Sequence, residues 1–112
     1  MQEVAASPAS TSHDVRAHLH RAPRCTDAHW RRFLGPDERW IDRHESGVDP
    51  TQIEPSTGAY GLGQLLASTY RDLGLVESPS PCAEIAAQRA YMAERYGSFA
   101  HAKAHELAVG WW

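Results

Sequence analysis

The sequence predicts a mainly α protein of the α+β class, with several short helices around one small β-hairpin. Three observations predict it. Apolar residues recur at helical spacing through Ile85, Ala86, Ala90, Met92, Ala93 and Tyr96. Proline, glycine and serine interrupt the chain at short intervals, so the helices have nearby start and stop signals. Between Val48 and Gln64, extended segments flank the turn residues Pro55-Ser56-Thr57-Gly58, which is the pattern of a hairpin.

Residues 1–13 are expected to form a flexible lead-in, because the stretch from Ala5 to Ser12 is small and polar with one proline. A single domain then spans 14–112. A short helix from Asp14 to about His20 is followed by a break at Pro23 to Cys25, and Thr26 or Asp27 caps a helix through Leu34. Gly35 ends it, and Pro36 sits where a first helical turn accepts proline. Trp40, Ile41 and His44 line one side of the next helix, which Gly47 closes, so Glu45 falls in its last turn. After the hairpin, with three glycines bringing backbone close to something, Ser68 caps a helix that ends at Gly74. The loop Glu77-Ser78-Pro79-Ser80-Pro81 leads to a helix from Ala83 to Tyr96, and Ser98 caps another through Ala108. Gly110-Trp111-Trp112 is left as an aromatic tail, and no internal repeat is present.

At 112 residues, 42% apolar and 22% charged, the chain has the composition of one soluble core. No apolar run approaches the roughly 20 residues of a membrane span, so no membrane insertion is expected. The net charge of -3 is offset in mildly acidic surroundings by seven histidines, and overall charge selects no partner. Arg16, Arg21, Arg24, Arg31 and Arg32 form a local basic stretch that could approach an anionic wall or a nucleic acid, though a solvated helical face is the favoured reading. Cys25 and Cys82 allow one bridge or two buried thiols. The opening Met1 to Pro8 has neither the basic flank nor the apolar segment of a secretory signal.

Glu45 is the candidate catalyst. A carboxylate in a helix's last turn faces the negative end of the macrodipole, and burial beside Ile41 and Trp40 further disfavours its charged form. An acid that keeps its proton near neutral pH is what glycosidic bond cleavage needs, because the leaving oxygen must be protonated as the bond breaks.

The string Trp40-Ile41-Asp42-Arg43-His44-Glu45-Ser46-Gly47, then Asp49-Pro50, then Pro55 to Gln64, then Ser68-Thr69-Tyr70, resembles the lytic transglycosylase family. The shared pattern is a Glu-Ser-Gly helix end, a Gly-Leu-x-Gln strand and a Ser-Thr helix start. The likeness continues through Ala87 to Gly97 and Gly110-Trp111-Trp112, covering residues 36–112, and is nearest to small forms in actinobacterial phage lysins, tail proteins and secreted wall enzymes. It implies a lysozyme-like fold with a cleft between the Glu45 helix and the hairpin. It also implies a peptidoglycan glycan strand as substrate. Glu45 would protonate the oxygen between N-acetylmuramic acid and N-acetylglucosamine, then activate the muramyl 6-hydroxyl to leave a 1,6-anhydro end, with no metal or cofactor. Substrate-binding positions carried over are Gln64, Ser56 in the turn, Tyr60 as a stacking surface, and Ser46 beside the catalyst.

Two departures bear on mechanism. Relatives place a tyrosine over the catalytic Glu near the end of the domain, where this chain reads Ala108-Val109-Gly110-Trp111-Trp112, with Trp111 as a replacement. Glu54 stands where a small polar residue is usual, and it or Asp49 offers a second carboxylate that would position water for hydrolysis. His18, His20, Cys25 and His29, and separately His101 and His105, are metal-capable but lack a familiar ligand spacing, so no metal is expected. The expected protein is a wall-cleaving transglycosylase acting outside the cell or from a phage, monomeric or one module of a larger chain, with no nucleic-acid partner. A lysozyme-type muramidase and a non-catalytic wall-binding or virion structural module are the alternatives.

Overall fold

The computed structural model describes residues 24–112, and both the lead-in and the helix expected from Asp14 lie outside the described residues. A 3-10 turn, Trp30–Phe33, precedes four helices: α1 (Pro36–Ser46), α2 (Ala67–Asp72), α3 (Pro81–Arg95) and α4 (Phe99–Val109). The mainly helical class is as the sequence predicts.

The helix ends follow from local chemistry. Pro36 opens α1, and the Glu38 carboxylate reaches back to accept the Gly35 N–H at 3.3 Å, as the third helical residue does in a capping box. Gly47, with φ of 70°, takes the left-handed conformation that stops the helix and donates its N–H to the Arg43 carbonyl. The Ser80 and Ser98 hydroxyls accept from the Ala83 and His101 N–H groups and start α3 and α4, the latter where expected.

Three boundaries differ from expectation. Helix α3 begins at Pro81, because proline fits a first turn and Ser80 caps it. Helix α2 begins at Ala67 with Leu66 before it, so Ser68 lies inside the first turn and does not cap. The helix expected through Leu34 shrinks to a four-residue 3-10 turn. Asp27, expected to cap it, instead accepts from the Ser80 hydroxyl at 2.8 Å and the Cys82 N–H at 3.2 Å, reinforcing the start of α3.

The expected hairpin does not form. Residues 50–65 contain two isolated antiparallel bridges, Ile53 to Tyr60 and Tyr60 to Leu65, with no ladder. Gly61 and Gln64 both have positive φ, which turns the chain back before a second strand can extend. Single backbone bonds, from the Glu54, Tyr60 and Gly61 N–H groups to the Ala59, Leu65 and Gln52 carbonyls at 2.9, 3.2 and 2.8 Å, hold the segment, and side chains add to them. Leu62 N–H donates to Glu84 Oε1 at 2.7 Å, Asp49 N–H to Ser46 Oγ at 3.1 Å, and the Gln64 amide to the carbonyls of Gln52 and Gly61 at 2.9 and 3.0 Å. Two glycines do bring backbone close, as expected. A Cβ on Gly61 would lie 2.1 Å from Glu84 Oε1, and one on Gly63 would lie 2.9 Å from both Gln88 Oε1 and the Trp112 ring.

The core gathers Ile41, Leu65, Tyr70, Leu73, Ala87, Ala90, Tyr91, Ala102 and Trp112. Trp112 is no tail: it is fully buried, its indole N–H donates to the Gly63 carbonyl at 2.9 Å, and its ring meets Tyr91 edge-on at 5.0 Å. A smaller cluster of Trp30, Leu34, Leu62 and Ile85 is closed by the Cys25–Cys82 disulfide. Closing a loop of that length stabilises the fold by about 4 kcal/mol on the chain-entropy estimate.

Candidate active site

Helix α1 buries an unusual face. Glu38, Asp42 and Glu45 recur at i, i+4 and i+7, with Ile41 beside them, and Glu38, Ile41 and Asp42 are buried while Glu45 is half-buried. Trp40 is only half-buried and His44 exposed, so the inward side differs from the Trp40–Ile41–His44 face read from periodicity. Carboxylates tolerate this position because α3 supplies donors. The Gln88 amide bridges Glu38 Oε2 at 2.9 Å and Asp42 Oδ2 at 3.0 Å, and Arg89 pairs with Glu38 Oε1 at 3.1 Å while donating to the Phe33 carbonyl. Burial holds the Asp42 carboxyl well above its ordinary range, and the Gln88 hydrogen bond does not overcome it.

Among the described residues no such amide or guanidinium is hydrogen-bonded to Glu45. Its pKa is pushed up to about 8, first by burial, then by hydrogen bonding to and repulsion from the Glu106 carboxyl, with Asp42 adding to the same effect. Glu106 comes from α4, which packs against α1, and it is buried with 6% exposure. Burial raises its pKa as well, while accepting a hydrogen bond from Glu45 acts in the other direction. Both carboxyls are thus held above their ordinary range, and the pair keeps a proton that Glu45, the member lining the cavity, can present there.

Glu45 opens onto a cavity of about 330 Å³. The end of α1 contributes His44 and Glu45, the following loop Glu54, Ser56, Thr57 and Ala59, and the opposite wall Gln64 and Gly110. Glu54 Oε2 accepts from the Ser56 hydroxyl and from the Thr57 N–H and hydroxyl at 2.8 and 3.0 Å. These bonds, the one from Ser56 foremost, lower its pKa and keep it ionised. Both Gln64 amide hydrogens are engaged by backbone carbonyls, so Gln64 offers a ligand its carbonyl oxygen. Its backbone lies in the left-handed region at φ of 53°, and Val48, at the exit of α1, does so at 59°. Such conformations cost on the order of 1–3 kcal/mol each and persist only where surroundings fix them. The cavity thus brings together a neutral acid, an ionised carboxylate, an amide oxygen and a hydroxyl. That set can donate a proton to one atom of a ligand while stabilising positive charge or orienting water at another.

Of the residues singled out from sequence, Glu45, Gln64, Ser56 and Glu54 meet at this cavity; Ser46, Tyr60, Asp49 and Trp111 do not line it. Ser46 donates to the Asp42 and Leu62 carbonyls at 3.1 and 2.8 Å, tying the end of α1 to the segment that carries Gln64. Tyr60 borders a separate concavity with Ile53 and Pro79. Asp49 takes both polar hydrogens of Thr51, and Trp111 packs edge-on against His105. Cys25 is consumed by the disulfide, and among the described residues no three His, Cys, Asp or Glu side chains are grouped to hold a metal ion. Sequence reasoning missed Glu106, although a signal existed: Phe99, Ala102 and Glu106 share the inward spacing of α4, which places an acid where the period calls for an apolar side chain. No protein-family model, curated protein or solved structure matches the chain.

Proposed function

We propose that this domain cleaves peptidoglycan glycan strands as a lytic transglycosylase, with Glu45 as the single acid and base. The observation that carries the proposal is a half-buried carboxyl with a pKa of about 8 opening onto a cavity that also holds Gln64. An acid of that strength is still protonated at neutral pH, and once it has given up its proton it is a strong enough base to take one back from a sugar hydroxyl. The family resemblance over residues 36–112 supplies the substrate class: the bond between N-acetylmuramic acid and N-acetylglucosamine. The expected setting is the bacterial wall, reached from outside the cell or by a phage-borne protein. No helix among the described residues is long and apolar enough to cross a membrane.

The ionised Glu54 at the same cavity favours a second reading, inverting hydrolysis with Glu54 activating water. Release of soluble fragments from purified walls tests the activity, and Glu45→Gln is expected to lower it about 1,000-fold. Undiminished release by that variant rejects Glu45 as the acid. Mass spectrometry of the fragments then decides between the readings: 1,6-anhydro ends support transglycosylation and reducing ends support hydrolysis. Glycan binding without any release would make the domain a wall-binding module.

A further inference from the structure

Glu106 belongs to no motif read from the sequence. It is buried on α4, the helix packed against α1, with its carboxyl in hydrogen-bonding reach of that of Glu45. Its Oε1 is enclosed without a hydrogen-bond donor among the described residues. A buried acid in that position is costly unless a neighbour shares a proton with it.

We propose that Glu106 is a positioning residue for Glu45, and that the two carboxyls hold one proton between them, which Glu45 delivers to the cavity and recovers. This role rests on the function proposed above. As the glycosidic bond breaks, its electron pair stays on the departing oxygen, which takes the Glu45 proton. Two adjacent carboxylates are left in a poorly solvated site. When the muramyl 6-oxygen bonds to the sugar carbon, its proton passes to Glu45, so one proton leaves the pair and one returns. The repulsion between the deprotonated carboxylates drives that recovery, which is the base half of the reaction.

The groups facing the pair come from three helices. Asp42 of α1 adds negative charge, and Tyr91 of α3 interacts with Glu45. His44 of α1 and His105 of α4 favour the charged form of Glu106, and Tyr96 interacts with it. Glu54 lies at the cavity itself. None of these is hydrogen-bonded to Glu45 as Glu106 is, so Glu106 should control the pH at which Glu45 loses its proton.

The test is carbon NMR of the glutamate carboxyls, titrated in the wild type and in Glu106→Gln, alongside pH profiles of wall solubilisation. The expected result is a Glu45 midpoint near 8 in the wild type. In Glu106→Gln it should fall by more than one pH unit, with solubilisation reduced roughly tenfold at pH 7.5 and by a smaller factor at pH 5.5, where the acid half is spared and the base half is not. Glu106→Asp should restore part of the alkaline activity. An unmoved midpoint and unmoved alkaline limb in a folded Glu106→Gln overturn the proposal. If that variant does not fold, the wild-type titration decides: the Glu106 signal must respond at the Glu45 midpoint, and independent titration of the two overturns the pairing. Wild-type protein that solubilises no wall at any pH overturns the functional reading, and the positioning role of Glu106 with it, whereas the titration reports the shared proton without substrate.

Discussion

In its first two turns α1 buries Glu38 and Asp42 against an amide and a guanidinium, while one turn later Glu45 meets another carboxyl and an open cavity. The carboxyl group, the helix and the face are the same, and the partners differ. Arg89 and Gln88 convert the first pair into a clamp between α1 and α3. Glu106 leaves the third acid neutral and accessible. Acidity at a site is thus set less by the residue than by what the neighbouring helix presents to it, and a run of like residues can change from structure to chemistry within one turn.

Breaking the reactive end should have the largest effect. Glu45→Gln is expected to cut wall solubilisation about 1,000-fold, near 4 kcal/mol in the barrier, yet keep the fold, because a neutral amide can still donate to Glu106. Breaking the clamp should do the reverse. Arg89→Ala leaves Glu38 with only the Gln88 amide and the Gly35 N–H and is expected to lower stability by roughly 3 kcal/mol in urea denaturation, with activity per folded molecule retained.

The pH dependence of stability sharpens the contrast. Glu45 at about 8, Glu84 at about 7, and Asp42 and Glu106 in the same direction all bind protons more tightly folded than unfolded. Their contribution is complete below the ordinary carboxylate range and is lost as pH rises through the folded values. The melting temperature should therefore fall between about pH 5 and pH 8.5, by roughly 10 °C. Glu45→Gln should flatten the upper part of that decline and melt higher than the wild type at pH 8.5. A melting temperature that rises over this interval would contradict the assignment of neutral buried acids. The smallest effect is expected at Asp49, which is engaged by Thr51 outside the cavity. Asp49→Asn should change solubilisation less than twofold, whereas a large loss would move the second carboxylate from Glu54 to Asp49.

Local signals carried much of the architecture. Pro36 and Gly47 bracket α1 and Ser98 starts α4, because caps act through bonds only three or four residues long. Asp27 shows where such reading stops: it has the chemistry of a cap for the next helix but is used 55 residues away, on Cys82. The disulfide and the burial of Trp112 are likewise set by packing between distant segments. At the site, Glu45, Gln64 and Ser56 were legible from an ordered set of motifs. Glu106 was not, since Leu107 and Val109 draw attention to an apolar side of α4 that in fact faces outward, while the acid points in. A buried carboxylate reads from sequence as a surface residue until its partner is known.

The segment facing Glu45 is pinned by separate anchors: Ser46 to Leu62, Glu84 to Leu62, Gln64 to Gln52, and Glu54 to Thr57. In a paired strand, shifting one residue displaces all its neighbours together. Here each anchor can be exchanged while the others keep their grip, so selection can remodel the rim residue by residue. A scaffold of this kind can change the lining of its cavity without first rebuilding its interior.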